Sequence, residues 1–286
     1  MFTSIVAGLA AGGAYALIGV CLVFTYRLVS IVNFTGAAIG ATGTFAMVML
    51  YEDGVPLFVS VAGGLAAGGL TAALLGAVMM RWFADAPAQN KAAVTVALLV
   101  GMIALGLRLT GGQHPRAFPD LIPGAAFSFA GVVITKAALV TITLALAFTI
   151  FGTQFLNRTR TGLKLRAMSE RPMTAELTGI PARSLSIGVW AAAGIATTLA
   201  LMIIAPQRAP NFLTFSMLVV PAFAAALIGS FRSFWLTLGG GIALGLLEGL
   251  AASLTWLQQF RSAVPFAIIL AVLLWSQRKA RWDEAR

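Results

Sequence analysis

Long apolar runs separated by few charged residues constrain this sequence more than any motif does. A transmembrane helix needs about 20 mainly apolar residues, and the chain offers about nine such runs. Only 10% of the 286 residues are charged, whereas a soluble domain carries about 25%. The sequence therefore predicts an all-α fold, a polytopic integral membrane bundle of about eight to nine transmembrane helices.

The predicted spans follow one another along the whole chain as a single transmembrane domain, residues 1–286. They are Ile5–Tyr26, Asn33–Leu50, Pro56–Met80, Ala92–Leu109, Lys136–Leu156, Leu185–Ile204, Phe212–Ser230, Phe234–Trp256 and Ala263–Ser276. The second run is rich in glycine and threonine, which favours a broken or re-entrant element, and the last run is short. The start of the chain lacks the features of a signal peptide, so we expect the first run to be retained.

Basic residues between the spans indicate the orientation. The connection 157–184 and the C-terminal tail Gln277–Arg286 are both rich in arginine and lysine. Cytoplasmic loops retain such residues, so we expect both segments inside the cell and, counting nine spans, the N-terminus outside. The same rule explains the net charge of +10 without a nucleic-acid partner. The outer connection Gly111–Thr135 ends in a pattern that predicts a short β-hairpin.

The basic connection also has the pattern of a helix pair. Within Leu163–Thr178, Pro172 is suited to starting a second helix and Gly179 to ending it. Leu163 and Ala167 contribute to an apolar side. Such a pair would suit docking to a cytoplasmic partner, but a solvated basic loop explains the composition equally well.

One acidic residue lies inside a predicted span. Gly241, Gly245 and Gly249 recur every four residues, a spacing that lets two helix backbones approach closely in lipid. Glu248 lies on nearly the same face, and its carboxyl group should face the bundle interior or a polar cavity. A role in a translocation pathway and a structural hydrogen bond to a neighbouring helix both remain open.

The start of the second run is the remaining candidate site. Asn33, Phe34 and Thr35 precede Gly36 and Gly40, and this composition weakens a helix and frees backbone groups. Transporters place substrate sites at interrupted spans. The alternative is another face of small residues for packing, as at Gly8–Gly12 and Gly64–Gly68.

Catalytic patterns are missing from the sequence. There is no phosphate-binding loop and no nucleophile–base pair. Cys21 and His114 are the only residues of their types, so we expect no metal site, no cofactor and no enzymatic activity in this chain.

Three blocks of the sequence resemble the permease subunits of branched-chain amino acid (leucine-type) ABC importers. The N-terminal block runs from Gly12 to Phe34, the central block is Arg160–Ala167 followed by Pro172, Ala175 and Gly179, and the C-terminal block comprises residues 221–229 and 239–248. The tail 267–277 is similar to the last helix of the family. Because the blocks occur in order over nearly the whole chain, together they indicate membership of this family.

The resemblance implies a set of partners. They are a second related permease chain, two cytoplasmic ATP-binding cassette subunits that hydrolyse ATP, and an extracytoplasmic substrate-binding protein. The complex would move a branched-chain amino acid or a similar small polar solute across the inner or plasma membrane by alternating access. The segment Arg160–Ile180 would couple the permease to an ATPase, with these candidate residues: Thr161, Gly162, Arg166, Glu170, Pro172, Ala175 and Gly179. A self-contained channel or secondary carrier is the alternative.

The sequence departs from the family pattern at one place. After the Asn33-Phe34 pair the family usually has a small residue, then His or Gln, then Gly and often an acid. Here Thr35, Gly36, Ala37 and Ala38 follow. This difference weakens the case that the cargo is leucine itself.

Overall fold

Helices form nearly all of the described structure. The computed structural model describes residues 2–112, 116–129, 132–170, 181–208 and 211–284. The elements in order are α1 (Phe2–Val29), α2 (Gly36–Glu52), α3 (Leu57–Trp82), α4 (Ala88–Leu109), β1 (Ala125–Phe129), β2 (Val132–Thr135), α5 (Lys136–Arg158), α6 (Arg160–Glu170), α7 (Ala182–Arg208), α8 (Phe212–Ser216), α9 (Val219–Ile228), α10 (Phe234–Ser253), a 3₁₀ turn (Gln258–Ala263) and α11 (Val264–Glu284). Helices suit a bilayer because they satisfy their backbone groups internally.

The predicted membrane bundle is confirmed. Within the described ranges, seven helices are long and apolar enough to cross a membrane. They correspond to the first, third, fourth, fifth, sixth, eighth and ninth predicted spans. The other two predicted spans are shorter apolar segments, because α2 has 17 residues and the segment Phe212–Ile228 is interrupted.

The interruption predicted for the second span lies at its start, and the seventh span is interrupted as well. Residues 33–35 of the predicted span Asn33–Leu50 belong to the break after α1, and the rest of the span is the continuous helix α2. The seventh predicted span, Phe212–Ser230, consists of α8 and α9 with a turn between them. Pro221 lies in the first turn of α9, where its missing N–H is tolerated, and its ring prevents the helix of α8 from continuing through it.

α1 lies at the centre of the bundle. It packs against α10, α5, α7 and α9, and most of its length is buried. A second group forms around α2, which packs against α3 and α7. By contrast, α4 and α11 bury little of their apolar surface. This difference indicates that α4 and α11 lie at the periphery, where lipid or a partner chain covers them.

One end of the bundle gathers the C-terminal ends of α1 and α5 and the start of α10. α6 packs against both α1 and α5. The guanidinium carbon of Arg27 lies 5.2 Å from the centre of the Phe234 ring. The Ser186 hydroxyl lies 3.8 Å from the sulfur of Met168, so the start of α7 reaches the same end. The basic connection is therefore anchored directly onto the spans at this end.

The opposite end carries the predicted hairpin. β1 and β2 pair antiparallel, with Ser128 opposite Val133, which confirms the sequence prediction. Arg116 forms an ion pair with Glu52 and so ties the connection after α4 to the end of α2. His114 lies outside the described residues.

Candidate functional site

The α5–α6 corner

A single residue separates α5 from α6. The Thr159 hydroxyl accepts a hydrogen bond from the Gly162 amide at 2.9 Å, and the Thr159 carbonyl accepts one from the Leu163 amide at 3.0 Å. Threonine is a preferred N-cap residue because its oxygen satisfies an amide that the helix leaves free. A Cβ on Gly162 would overlap the Phe155 carbonyl oxygen and lie 2.9 Å from Leu156 Cα. The corner thus requires both the cap and the glycine.

The two faces of α6

α6 presents one face to the bundle and another away from it. Leu165 and Met168 are buried, at 1% and 3% exposure, whereas Leu163 is 67% exposed. Thr161, Lys164 and Ala167 are exposed with Leu163. The predicted apolar side that contains Leu163 and Ala167 therefore faces outward. The predicted first helix of the pair is confirmed, whereas the predicted second helix lies outside the described residues.

The predicted coupling residues

The described coupling candidates have different surroundings. Arg166 donates hydrogen bonds to the Leu156 carbonyl and the Asn157 side chain, so its charge fastens α6 to the end of α5. Gly162 makes the tight contact with α5, and Thr161 is exposed. Glu170 is the last residue of α6. The remaining candidates lie outside the described residues: Pro172, Ala175 and Gly179.

The break between α1 and α2

The chain turns sharply at Ser30, whose φ of 55° lies in the left-handed region. The Ser30 amide closes α1 by donating to the Tyr26 carbonyl at 2.8 Å, and its hydroxyl donates to the Ser169 carbonyl of α6 at 3.2 Å. Phe34 packs against Phe223 of α9, with ring centres 5.1 Å apart. The break therefore contacts α6 at one side and the interrupted span at the other.

Asn33 and Thr35

Asn33 and Thr35 are buried at the break, at 5% and 0% exposure. The Asn33 carbonyl oxygen Oδ1 accepts hydrogen bonds from the Thr35 amide at 3.0 Å and from the Thr35 hydroxyl at 2.6 Å. This local ring of bonds fixes the orientation of the Asn33 side chain. The predicted trio of Asn33, Phe34 and Thr35 is thus brought together just before α2.

A small cavity beside the break

A cavity lies between the break, α1 and α7. Its wall comprises Ile18, Cys21, Leu22, Thr25, Asn33, Gly36, Ala37, Ile39, Ala193, Gly194, Thr197 and Val219. The cavity is open on one side, and its empty volume, including that open side, is about 300 Å³. A Cβ on Gly36 would meet no atom within 4 Å. Gly36, one of the residues that depart from the family pattern, therefore faces open space.

The glycine face and Glu248

The predicted close approach of α10 to a neighbour is confirmed, and the neighbour is α1. A Cβ on Gly245 would overlap the backbone of Gly12 and lie 2.5 Å from the Gly8 carbonyl oxygen. The Tyr15 hydroxyl of α1 donates a 2.5 Å hydrogen bond to Glu248. Glu248 therefore makes the interhelical bond that the sequence left as one of two interpretations, and a role in the pathway stays a prediction.

Other small-residue faces

Of the other glycines predicted to serve helix packing, some lie close to a neighbouring helix and one does not. Cβ atoms on Gly64 and on Gly68 would overlap neighbouring atoms of α2 and α7, respectively, and one on Gly40 would lie 3.0 Å from the Thr197 carbonyl oxygen. These three glycines serve helix packing, as predicted. Gly36 does not, because it faces open space.

Comparison with known proteins

Comparison of the whole sequence with known families decides the class of the protein. The profile of the family described as "Branched-chain amino acid transport system / permease component" matches residues 4–273. The chain belongs to this permease family. The permease is thus a multi-pass membrane component of a transport system, in agreement with its seven long apolar helices among the described residues.

Two further comparisons add no functional assignment. No curated protein matches the permease significantly. Among solved structures, the permease is similar to a chain of "PsaBC from Streptococcus pneumoniae in complex with Fab", with 14% identity, a TM-score of 0.48, and coverage of 95% of the permease and 87% of the other chain. That similarity is too low to support a functional conclusion.

The sequence did not identify three polar residues near the candidate site. Tyr15 bonds Glu248, while Thr25 and Thr197 line the cavity. Tyr15 and Thr25 are polar positions within the apolar first span, and Thr197 follows Gly194 by three residues in the sixth. These interruptions of apolar runs were the available signal, but their spatial proximity required the structure of the permease.

Proposed function

We propose that this chain is a permease subunit of an ABC importer that moves a branched-chain amino acid or a similar small polar solute by alternating access. Family membership supports the transport role. The observation that carries the proposal is α6, which is fastened to α5 on one face and leaves Leu163 67% exposed on the other. Because α6 is short, is anchored to the spans and exposes an apolar residue on its outer face, it suits docking by an ATPase subunit whose motion it would pass to the spans.

A mechanical connection from α6 to the centre of the permease supports coupling. Displacement of α6 would act on α5 through the Gly162 contact, since a Cβ there would already overlap the Phe155 carbonyl. It would also act on the α1–α2 break through the hydrogen bond from Ser30 to Ser169. Motion of an ATPase docked at α6 could therefore be transmitted to the α1–α2 break by contacts within this chain.

The proposed partners are a second permease chain, two ATP-binding cassette subunits at the α6 end and a substrate-binding protein at the hairpin end. Arg158, Arg160 and Lys164 lie at the α6 end and favour a cytoplasmic location for it. The same orientation would place the C-terminus in the cytoplasm. ATP hydrolysis would take place in the partner subunits.

The docking role of α6 can be tested in the assembled transporter. Leu163→Asp places a charge on the exposed apolar face and should reduce recovery of the ATPase with the purified permease at least about 10-fold, equivalent to about 1.4 kcal/mol. Leu163→Met conserves volume and should leave recovery unchanged. Since Leu163 is mostly exposed, neither change should alter the thermal stability of the permease. Equal recovery from both variants would exclude this docking face.

Liposomes distinguish the importer from a self-contained carrier. Uptake of radiolabelled leucine, isoleucine and valine is measured with the purified permease alone and with the full complex, ATP and binding protein. The proposal requires that only the full complex with ATP and binding protein takes up the amino acid. ATP-independent uptake by the isolated permease would refute it.

A further inference from the structure

We infer that four aromatic side chains form a gate between the cavity and the α6 end of the permease. This aromatic gate comprises Tyr26, Phe34, Phe223 and Phe231, and α6 acts on it through Ser30. Its role in transport rests on the proposed importer function, and the inference assigns the residues that close the solute pathway. The gate lies at the end of the permease to which an ATPase would dock.

The rings of the aromatic gate make a continuous chain of contacts. Phe34, in the α1–α2 break, lies 5.1 Å from Phe223 of α9, measured between ring centres. Phe223 lies 5.4 Å from Phe231, in the turn between α9 and α10, and Phe231 lies 5.0 Å from Tyr26 of α1. Aromatic pairs at these distances attract each other beyond the effect of their buried area. The rings therefore hold the break and the α9–α10 turn against α1.

The aromatic gate lies on the α6 side of the cavity. α10 begins at the α6 end, so α9, which leads into α10, runs toward that end, as α1 does. Thr25 lines the cavity, and Tyr26 is the next residue of α1. Val219 also lines the cavity, and Phe223 lies one turn later, about 6 Å along α9. A solute that moves from the cavity to the α6 end would thus pass these rings.

Partial exposure distinguishes the aromatic gate from a packed core. Three of its rings are half-buried, and the fourth, Tyr26, is 37% exposed. A second aromatic cluster, which contains Phe45 and Phe215, is instead buried, at 2% and 1% exposure. Rings that contact one another and also border open space suit a movable barrier, because their displacement breaks few other contacts.

The turn that carries Phe231 is strained. Ser230 and Phe231 have φ values of 50° and 53°, so two successive non-glycine residues lie in the left-handed region. This conformation is rare, and it is costly for a bulky residue. Strained residues persist only where the surrounding structure imposes them, and they concentrate in switch regions. The strain therefore favours release of Phe231 once its contacts with Tyr26 and Phe223 open.

α6 reaches the aromatic gate through Ser30. The Ser30 hydroxyl donates to the Ser169 carbonyl of α6 at 3.2 Å, and the Ser30 amide donates to the Tyr26 carbonyl at 2.8 Å. Ser30 also begins the break that carries Phe34. Displacement of α6 would therefore move these two rings, whereas α9 and the turn after it carry the other two. Such a motion separates one pair of rings from the other and opens the gate.

The single cysteine tests the gate, because Cys21 lines the cavity and is only 2% exposed. The complete transporter is placed in inside-out vesicles, which expose the α6 end, and a charged, membrane-impermeant methanethiosulfonate reagent labels the thiol. Phe223→Ala removes two ring contacts and should raise the labelling rate at least about 10-fold (about 1.4 kcal/mol). Tyr26→Ala changes a more exposed side chain, which disturbs folding less, and should raise the rate as well. Right-side-out vesicles should show no rise.

Phe151→Ala is the matched control. Phe151 also contacts two rings, those of Phe148 and Phe155, but all three lie on α5, which contributes no residue to the cavity wall. Its removal should leave the labelling rate of Cys21 within about twofold of wild type. Unchanged labelling in both gate variants would overturn the gate. An equal rise in Phe151→Ala would also overturn it, because the loss of any ring contact would then expose the thiol.

A second measurement tests the link to α6. Ser30→Ala removes the hydroxyl that bonds Ser169 and keeps the four rings, so it should lower the ratio of amino acid taken up to ATP hydrolysed about 2–10-fold. A loss of stability alone would reduce both rates and leave their ratio unchanged. An unchanged ratio would therefore overturn control of the gate by α6. Absence of ATP-dependent uptake by the wild-type complex would overturn the importer function, whereas Cys21 labelling would still decide whether the rings close the cavity.

Discussion

The contact between α1 and α10 allows one prediction to be worked out from atomic positions. A Cβ on Gly245 would lie 2.5 Å from the Gly8 carbonyl oxygen and would overlap the Gly12 backbone. Ordinary contacts of this kind begin at 3.4 Å. The helices must therefore separate by about 1 Å, and a gap of that size forfeits about a quarter to a half of the dispersion energy of each contact.

Gly245→Ala should consequently destabilise the permease through overpacking by about 1–3 kcal/mol. Alanine also gains about 1 kcal/mol over glycine in helix propensity, which would hide part of this cost. Gly239→Ala corrects for that gain, because Gly239 lies on the same helix and a Cβ there meets nothing within 4 Å. The difference between the two variants isolates the close contact.

The single cysteine provides the assay. Cys21 lies on α1 and is buried at 2% exposure, so a thiol-reactive fluorophore reports unfolding of the central helix. At about 2–4 °C per kcal/mol, Gly245→Ala should unfold about 2–12 °C below Gly239→Ala. Equal midpoints for the two variants would show that α1 and α10 are not in the close contact that the structure describes.

Two other contacts give predictions with the same assay. Gly162→Ala should reduce both the unfolding midpoint and ATPase recovery, because its Cβ overlaps the end of α5, whereas Gly188→Ala meets nothing within 4 Å and should change neither. Tyr15→Phe removes the hydroxyl that bonds Glu248 and should cost about 1–3 kcal/mol, while Glu248→Gln retains an acceptor and should cost less. A Glu248→Gln midpoint below that of Tyr15→Phe would contradict the bond as the main role of Glu248.

The helical class could be predicted because lipid imposes a simple rule. Apolar runs of about 20 residues have few alternatives to a spanning helix, and the seven long spans follow the predicted runs closely. α5, for example, was predicted as Lys136–Leu156 and ends two residues later, at Arg158. The close approach through Gly245 was also predictable, since the spacing of small residues directly encodes it.

Composition predicted one helix break and missed the other. Glycine and threonine in the second span indicated an interruption, which lies at its start, whereas from Gly36 onward α2 packs against α3 and α7 and is helical. The interruption in the seventh span depends on Pro221. Propensity is a weak indicator, because tertiary packing overrides it.

The surroundings of the candidate residues also required the tertiary structure. Arg166 was a coupling candidate implied by the family resemblance, and its side chain bonds the end of α5. Leu163 was predicted only to lie on an apolar side, and its 67% exposure makes it the better probe of docking. A helical pattern shows which residues share a face, but not which neighbour covers that face.

The long apolar runs by themselves determined that this chain is a membrane-embedded helical bundle, because hydrocarbon leaves the backbone few ways to satisfy its hydrogen bonds. The sequence also determined the glycine face and the family, through local spacing and ordered motifs. Only the tertiary structure brought Asn33 together with Gly36 and Thr197 around one cavity, and paired Tyr15 with Glu248. These residues are far apart in sequence, and their proximity depends on how helices from different parts of the chain pack.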